Sequence, residues 1–440
     1  MSIDGLQKFD SPDKGRGLRV SKAFQAGELL FSCPPYSYVL AANQKGDYCE
    51  FCFNRKESLA RCGKCKKAFY CNVKCQKGDW AAHKLECSAI LAFREKWCPS
   101  ETARLVARIL ARKKTQKEQC SSERILLIGE MQSHVDDMDN AQRENSQADA
   151  AALHRFYSKH LDFPDSKELL SLFSQVSCNG FTIEDEELSQ IGTAVYPDVA
   201  LINHSCLPSV MVTFNGTTAE VRAVKDMKPG DEVLISYIDL LYPTDDRNSR
   251  LKESYYFTCH CGECQTRSQD EVKLQVRQRG KSPEAVSATL CYARKTINDF
   301  RDLKLVQTPS ELLETCQRSL ERMRQVLHDH NVFVLHMMYQ AMGVCVYQGK
   351  LEDAVRYGEK IIQPFSQLYP AFSLNVSSLY LKLGRLYLAL DRRSAGVGAL
   401  KKAMSIMEVA HGKDHPYVRE LSKHIAQASS AALTYNFNSS

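Results

Sequence analysis

Between residues 18 and 40 apolar positions come in short runs, broken at Ala26-Gly27 and Pro34-Pro35. Runs of that length between turn residues predict strands. From 100 to 177 the period changes. Ser100 precedes Leu105, Ile109 and Leu110, whose spacing predicts a helix capped by the serine hydroxyl. Ala150 to Leu161 reads as another helix, and the polar stretch Asp136 to Asp149 as a loop between helices. Strand signals return over 178–238. Val210 to Phe214, then Asn215-Gly216, then Thr217 to Val224 predict a hairpin, because Asn-Gly suits a type I′ turn. Pro229-Gly230 marks a further turn, followed by a predicted strand from Glu232 to Tyr237.

Residues 265–284 are polar and contain Gly280 and Pro283, so they predict a linker. Beyond 285 the pattern is helical. Leu312, Cys316, Leu320, Met323 and Leu327 recur every three or four residues, as on a buried helix face. A shift of 41 residues aligns Gly343 with Gly384 and Ala354 with Ala395. Tyr380-x2-Leu383-Gly384-x2-Tyr387 fits the core pattern of a tetratricopeptide repeat. A stack of helical hairpins is expected; with only two clear copies, an ordinary helical bundle is the alternative.

Composition narrows the class. The chain has 440 residues, 44% of them apolar and 25% charged, as in globular proteins of two to four domains. Fourteen Pro and 21 Gly are too few for a low-complexity chain. Net charge is 58 − 52 = +6, which does not force a nucleic-acid or membrane partner. No apolar run approaches the ~18 residues of a membrane span. Met1 to Gly17 is polar and lacks a signal-peptide core, so secretion is not expected. In a reducing compartment the 18 cysteines then read as metal ligands or buried thiols, not disulfides.

Their spacing decides between those two. Cys49-x2-Cys52, Cys62-x2-Cys65, Cys71-x3-Cys75 and His83-x3-Cys87 make eight ligands in four close pairs. Zinc takes four N/S ligands tetrahedrally, so eight make two closed, structural sites. An interleaved pairing is expected, with Cys49, Cys52, Cys71 and Cys75 on one ion and Cys62, Cys65, His83 and Cys87 on the other. So short a segment holds few apolar residues, and metal must supply its folding energy. The segment carries nine Lys/Arg and four Asp/Glu, or +5. Seven thiolates and two zinc ions bring it to +2 (5 − 7 + 4), which favours a protein-binding module over a nucleic-acid finger. Cys259-x-Cys261-x2-Cys264 supplies three more ligands, and Cys206 is the best candidate for the fourth.

Four motifs carry a resemblance. With Phe69-Tyr70-Cys71, Gln76, Trp80 and His83, the first cysteine cluster resembles the MYND zinc finger. Lys14-Gly15-Arg16-Gly17-Leu18, Asn203-His204-Ser205-Cys206-Leu207-Pro208 with Gly230 to Tyr237, and Tyr255-x-Phe257-x-Cys259 together resemble a SET domain with its cysteine-rich post-SET segment. A SET domain split by a MYND finger, with helical repeats behind it, resembles the SET and MYND domain-containing lysine methyltransferases. This implies an α+β multidomain fold. Residues 4–48 and 178–240 would be the two parts of the SET domain, 49–87 the finger and 88–177 a helical insert. Residues 241–267 would be the post-SET zinc segment, and 285–440 an all-α tetratricopeptide-like domain.

The resemblance also implies a chemistry: methyl transfer from S-adenosylmethionine to lysines of histones and other proteins, with three structural zinc ions. The backbone of Lys14, Gly15 and Arg16 would lie against the cofactor; glycine permits such close approach. Asn203 and His204 would bind its polar groups, Tyr255, Tyr256 and Phe257 would flank it, and His134, on a helix of the insert, would touch it. Phe181, Tyr237 and Tyr255 would line the substrate-lysine channel, where aromatic walls suit an aliphatic stem and attract an ammonium. Tyr237 would stand at the end of its strand as the catalytic tyrosine. Ser209 departs from the family's usual asparagine, which puts a local hydrogen bond in doubt. The resemblance further implies a monomer of cytoplasm and nucleus, with protein partners for the finger. Two other readings remain: a non-enzymatic zinc-finger and repeat adaptor, and a nucleic-acid-binding zinc protein. Asn203, His204 and Tyr237 weigh against the first, and the small net charge against the second. Arg112-Lys113-Lys114-x2-Lys117 reads as a solvated helix face rather than a nuclear signal.

Overall fold

The computed structural model describes residues 3–277 and 282–437. Gly280, in the predicted linker, lies outside them. The chain divides into two compact units: Met1–His204 with Pro208–Ile235 and Leu251–Phe257, and Ser205–Leu207 with Ser236–Arg250 and Thr258–Ser440.

The first unit opens with a hairpin of β1 (Leu6–Ser11) and β2 (Gly15–Val20). β3 (Leu29–Cys33) and β4 (Ser37–Leu40) follow. The cysteine-rich segment adds β5 (Ala60–Arg61), β6 (Phe69–Tyr70) and the start of α1 (Val73–Phe93). Ser100 caps α2 (Glu101–Thr115) as expected, its hydroxyl accepting from the Ala103 N–H at 3.0 Å. α3 (Asn140–Tyr157) corrects the loop expected over 136–149. Asp139 and Gln142 form a reciprocal capping box at its start. Only Ser146, Leu153, Phe156 and Tyr157 of this helix are buried, so its first turns carry no apolar period.

After α4 (Ser166–Asn179) come β7 (Gly180–Glu184), β8 (Gln190–Val195), the short α5 (Pro197–Ala200) and β9 (Asn203–His204). β10 (Val210–Asn215) and β11 (Thr218–Ala223) form the predicted hairpin, but its two-residue loop is Gly216-Thr217 and only Gly216 has a positive φ (+61°), so the type I′ turn expected at Asn215-Gly216 is replaced by one that needs glycine in the first place alone. The sheets run β10-β11-β3 and β4-β8-β7. The strand expected from Glu232 to Tyr237 is shorter. β12 is Leu234–Ile235, because its parallel partner β9 is itself two residues long. Glu232 makes a lone bridge to Arg19, and Tyr237 lies in a bend beyond the strand.

Five charged side chains are buried where α1 and α2 pack near β4. Arg104 pairs with Glu86 at 2.9 Å and Glu50 at 3.7 Å and donates to the Leu40 carbonyl. Arg108 pairs with Glu86 at 2.9 Å and Asp79 at 3.4 Å and donates to the Tyr38 carbonyl. Burial raises the Glu86 carboxyl, but the two guanidiniums overcome this and hold it well below the usual range. Asp79 has one guanidinium partner, and burial pushes it up to about 7. Removing one member strands the others without water. Glu86→Ala is therefore expected to cost about 3–5 kcal/mol in denaturant titration. A cost under about 1 kcal/mol would place these charges among solvent-screened pairs. Arg112 is not a free surface cation: it donates to the Tyr36 carbonyl and lies 4.5 Å from the Tyr36 ring.

The second unit takes the first half of α6 (Thr244–Tyr255), then α7 (Gly262–Thr266) and α8 (Asp270–Lys273). α9 (Pro283–Val306) and α10 (Pro309–Arg324) lead to two helical hairpins. One is α11 (Val332–Tyr347) with α12 (Leu351–Leu368), the other α13 (Leu374–Ala389) with α14 (Arg393–Ala410). α15 (Pro416–Phe437) ends the array. The predicted core face, Leu312, Cys316, Leu320, Met323 and Leu327, is buried in full. Leu241 and Tyr242 belong to the same core. The described part of the expected linker over 265–284 contains α8. Its polar residues are engaged: Lys273 is 1% exposed and donates to the Leu240 and Tyr242 carbonyls at 2.8 and 3.2 Å. Among the described residues no helix is long and apolar enough to cross a membrane.

Candidate active site and zinc centres

The eight ligands of the first cluster fall into the two expected interleaved sets, and Cys206 joins Cys259, Cys261 and Cys264 in a third. The four ligand atoms of each set lie within 4.8 Å of one another. Tetrahedral zinc with bonds of about 2.3 Å requires sulfurs about 3.8 Å apart. The measured separations agree: 3.7 Å for Cys52–Cys71, 4.0 Å for Cys62–Cys87 and 3.6 Å for Cys206–Cys264. His83 Nε2 is 3.5 Å from the Cys65 sulfur, as the shorter Zn–N bond demands. All three sets are closed, so zinc is structural here. A residue outside the spacing pattern supports the third. Arg247, 1% exposed, donates from Nε to the Cys206 sulfur at 3.2 Å and from Nη2 to the Cys264 sulfur at 3.6 Å. Such outer contacts orient thiolates and offset their charge.

A second constellation lies wholly in the first unit. The turn between β1 and β2 carries Lys14, Gly15 and Arg16, with Gly15 at φ +71°. Backbone bonds from β2 to the 230–233 segment, Val20 N to Asp231 O and Val233 N to Leu18 O, bring this turn beside Glu232. Lys14 Nζ meets the Glu232 carboxylate at 2.8 Å. Asn203, on β9, donates to the other Glu232 oxygen at 2.9 Å and to the Arg16 carbonyl at 3.2 Å. A Cβ on Gly17 would come within 2.7 Å of the Asn203 amide nitrogen, so only glycine allows this approach. Ser209 fills the place in doubt: its hydroxyl donates to the Glu232 carbonyl at 3.1 Å and accepts from the Leu234 N–H at 2.9 Å.

Aromatic groups complete the site. The ring of the buried His204 is 5.8 Å from that of Phe257. His134 stacks on Tyr256 with centroids 4.9 Å apart and its Nδ1 3.0 Å from Asp137. His134 sits on a loop, not a helix, at φ +51°. The loop is held from α4, where Gln175 donates to the Met131 carbonyl, Ser174 to Ser133 and Asn179 to Gln132. Upstream, the fully buried Asp198 accepts from the N–H groups of Arg124, Ile125 and Leu126. Arg16 then donates to the Glu130 carbonyl at 2.6 Å. S-adenosylmethionine carries a carboxylate, an ammonium and an adenine. Cationic side chains, a carboxamide oxygen and aromatic faces are the matching donor set, so these residues fit it.

Residues 49–87 match the MYND finger family. The chain is 60% identical over 421 residues to N-lysine methyltransferase SMYD2-B of Danio rerio, covering 95% of this chain and 97% of that one. It is 58% identical over 425 residues to N-lysine methyltransferase SMYD2 of Homo sapiens, covering 96% and 98%. It is 58% identical over 423 residues to the protein of that name from Gallus gallus, covering 96% and 97%. The chain belongs to the SET and MYND domain-containing methyltransferase family.

As a SET and MYND protein it uses S-adenosylmethionine and zinc, and its three ligand sets match three ions. The expected channel residues divide between the units. Phe181, on β7, packs edge-on against the buried Tyr196 at 5.8 Å, and Tyr255 ends α6. Burial holds the Tyr255 hydroxyl above its usual range, so it stays a neutral phenol. Tyr237 belongs to the second unit. Glu232, Asp198 and Arg247 are supporting residues that sequence reasoning missed. Glu232 was visible inside the Gly230-Asp231-Glu232 motif, whereas nothing adjacent to Asp198 or Arg247 marks them.

Proposed function

We infer that this chain is a protein-lysine N-methyltransferase acting on lysine side chains of histones and other proteins. The observation that carries this is the meeting of Lys14–Gly17, Asn203 and Glu232 beside the rings of His204 and Phe257, in a chain 58% identical to a named N-lysine methyltransferase over nearly its whole length. S-adenosylmethionine supplies an electrophilic methyl group when bound. Lys14, Arg16 and Asn203 would hold its amino-acid end, and Phe257, Tyr256 and His134 its adenine. Phe181, Tyr237 and Tyr255 would form the apolar sleeve for the lysine. A free lysine, with a pKa near ~10.4, is mostly protonated at pH 7 and is no nucleophile. Desolvation in such a sleeve favours the neutral amine. Tyr237 would then align it for attack. The MYND finger would recruit protein partners, and the enzyme would act as a monomer in cytoplasm and nucleus without binding nucleic acid directly.

The test is transfer of a radiolabelled methyl group to lysine-bearing peptides and intact histones, with Asn203→Ala as control. Label on lysine, lost in the control, is the expected result. Cofactor binding without label on any lysine-bearing substrate would favour the non-enzymatic adaptor.

A further inference from the structure

The bend that carries Tyr237 is tied to the helical array of its own unit by contacts no motif announces. Ser236 Oγ donates to the Ile238 carbonyl at 2.8 Å and closes the bend. Two residues beyond Tyr237, Asp239 Oδ1 accepts from the Leu241 N–H at 2.9 Å and from the Tyr369 hydroxyl at 2.7 Å. Tyr369 caps the end of α12, and its hydroxyl accepts from Asn375 Nδ2, on α13, at 2.8 Å. A second tie follows at Tyr242. Gln340 Nε2 lies 3.1 Å from His336 Nε2 and donates to it, so the imidazole proton sits on Nδ1 and points to the Tyr242 hydroxyl at 3.1 Å. Burial keeps His336 neutral, down to about 4, which this pattern requires. The Tyr242 carbonyl is held by Arg247 and Lys273.

These ties lie on either side of Tyr237, two residues beyond the end of β12 at Ile235. We propose that Tyr369, through Asp239, is a positioning residue for Tyr237, so that the seam between α12 and α13 sets the aim of the catalytic phenol. Asp239 is the pivot. Its carboxylate is shared between the turn that follows Tyr237 and the hydroxyl of an array residue only 8% exposed. The array thereby has a part in the chemical step and is more than a platform. The proposal rests on the reading that Tyr237 orients the substrate amine.

Tyr369→Phe keeps the ring in the core and removes only the hydroxyl. Since small misplacements of reacting groups cost up to roughly a hundredfold, a kcat loss of about tenfold is expected, with KM for S-adenosylmethionine unchanged. Asp239→Asn keeps an acceptor oxygen for Leu241 and Tyr369 and should retain more activity than Asp239→Ala. The deciding measurement is a double-mutant cycle in kcat. If Tyr369 acts through the Tyr237 hydroxyl, Tyr369→Phe has no further effect once Tyr237→Phe is present. An equal loss in both backgrounds would mean a general structural role and overturn the proposal, as would an unchanged kcat in Tyr369→Phe alone. Should Tyr237→Phe itself leave kcat intact, the role of Tyr237 fails first, and the single-variant rates separate that outcome from failure of the relay. Thermal melts and zinc content of each variant identify any that has not folded.

Discussion

Tyr237→Phe is expected to lower turnover by roughly 10²–10³-fold, the cost of removing one aligned polar group from a reaction centre. Affinity for S-adenosylmethionine should hardly change, because the residues proposed to hold the cofactor, from Lys14 to Phe257, do not include Tyr237. The substitution spares the local fold. Tyr237 lies beyond β12, so no strand pairing is lost, and the ring is kept. Calorimetric titration of the cofactor beside a single-turnover rate separates the two effects. Equal loss of both would make Tyr237 structural, and full turnover would remove it from the mechanism.

Sequence carries some of these features openly and hides others, and the difference is physical. A metal site needs ligands within one turn of chain, so Cys49-x2-Cys52 and His83-x3-Cys87 are visible as spacing. Gly216 is equally local, because a tight hairpin dictates its own glycine, although the loop is Gly216-Thr217 and not the Asn215-Gly216 pair expected. Buried polar groups are different: a charge is expected outside, and nothing beside it in sequence shows its partner. Glu86, Arg104 and Arg108 are charged residues of α1 and α2, yet Glu86 meets the two arginines 18 and 22 residues along the chain. Lys273 made a polar stretch look like a linker, although its ammonium caps two carbonyls more than thirty residues upstream. α3 was hidden for the opposite reason, since a helix exposed on most faces has no apolar stripe and announced itself only through Asp139 and Gln142. Within the first unit, Lys14, Arg16, Asn203 and Glu232, which come from separate motifs, lie within hydrogen-bond reach of one another. The length of β12 was not legible, because it is set by β9, thirty residues away.

Cys206→Ala tests whether the third zinc set reaches beyond its own ligands. The three ligand sets provide for three ions, and the variant is expected to retain two. Removing one thiolate leaves Cys259, Cys261 and Cys264 with an open position, the arrangement of catalytic rather than structural zinc. The segment around them is short and poor in apolar residues, so metal loss is loss of fold. The damage should not stay local. Arg247 loses the acceptor of its Nε, and the same guanidinium holds the Tyr242 carbonyl at 2.7 Å, at the end of the segment that carries Tyr237. Along the chain, Cys206 follows His204 by two residues and Cys259 follows Phe257 by two, so loosening either ligand frees a cofactor residue. Weaker S-adenosylmethionine binding is therefore expected with the lost ion, while both MYND ions remain. Arg247→Met should be milder, keeping all four ligands but lowering affinity at this site by roughly 10–100-fold. Metal content by mass spectrometry, read beside cofactor titration and a chelator challenge, distinguishes the two variants. Three ions and normal cofactor affinity in Cys206→Ala would show that Cys206 is not the fourth ligand, and the link from this zinc to methyl transfer would fall with it.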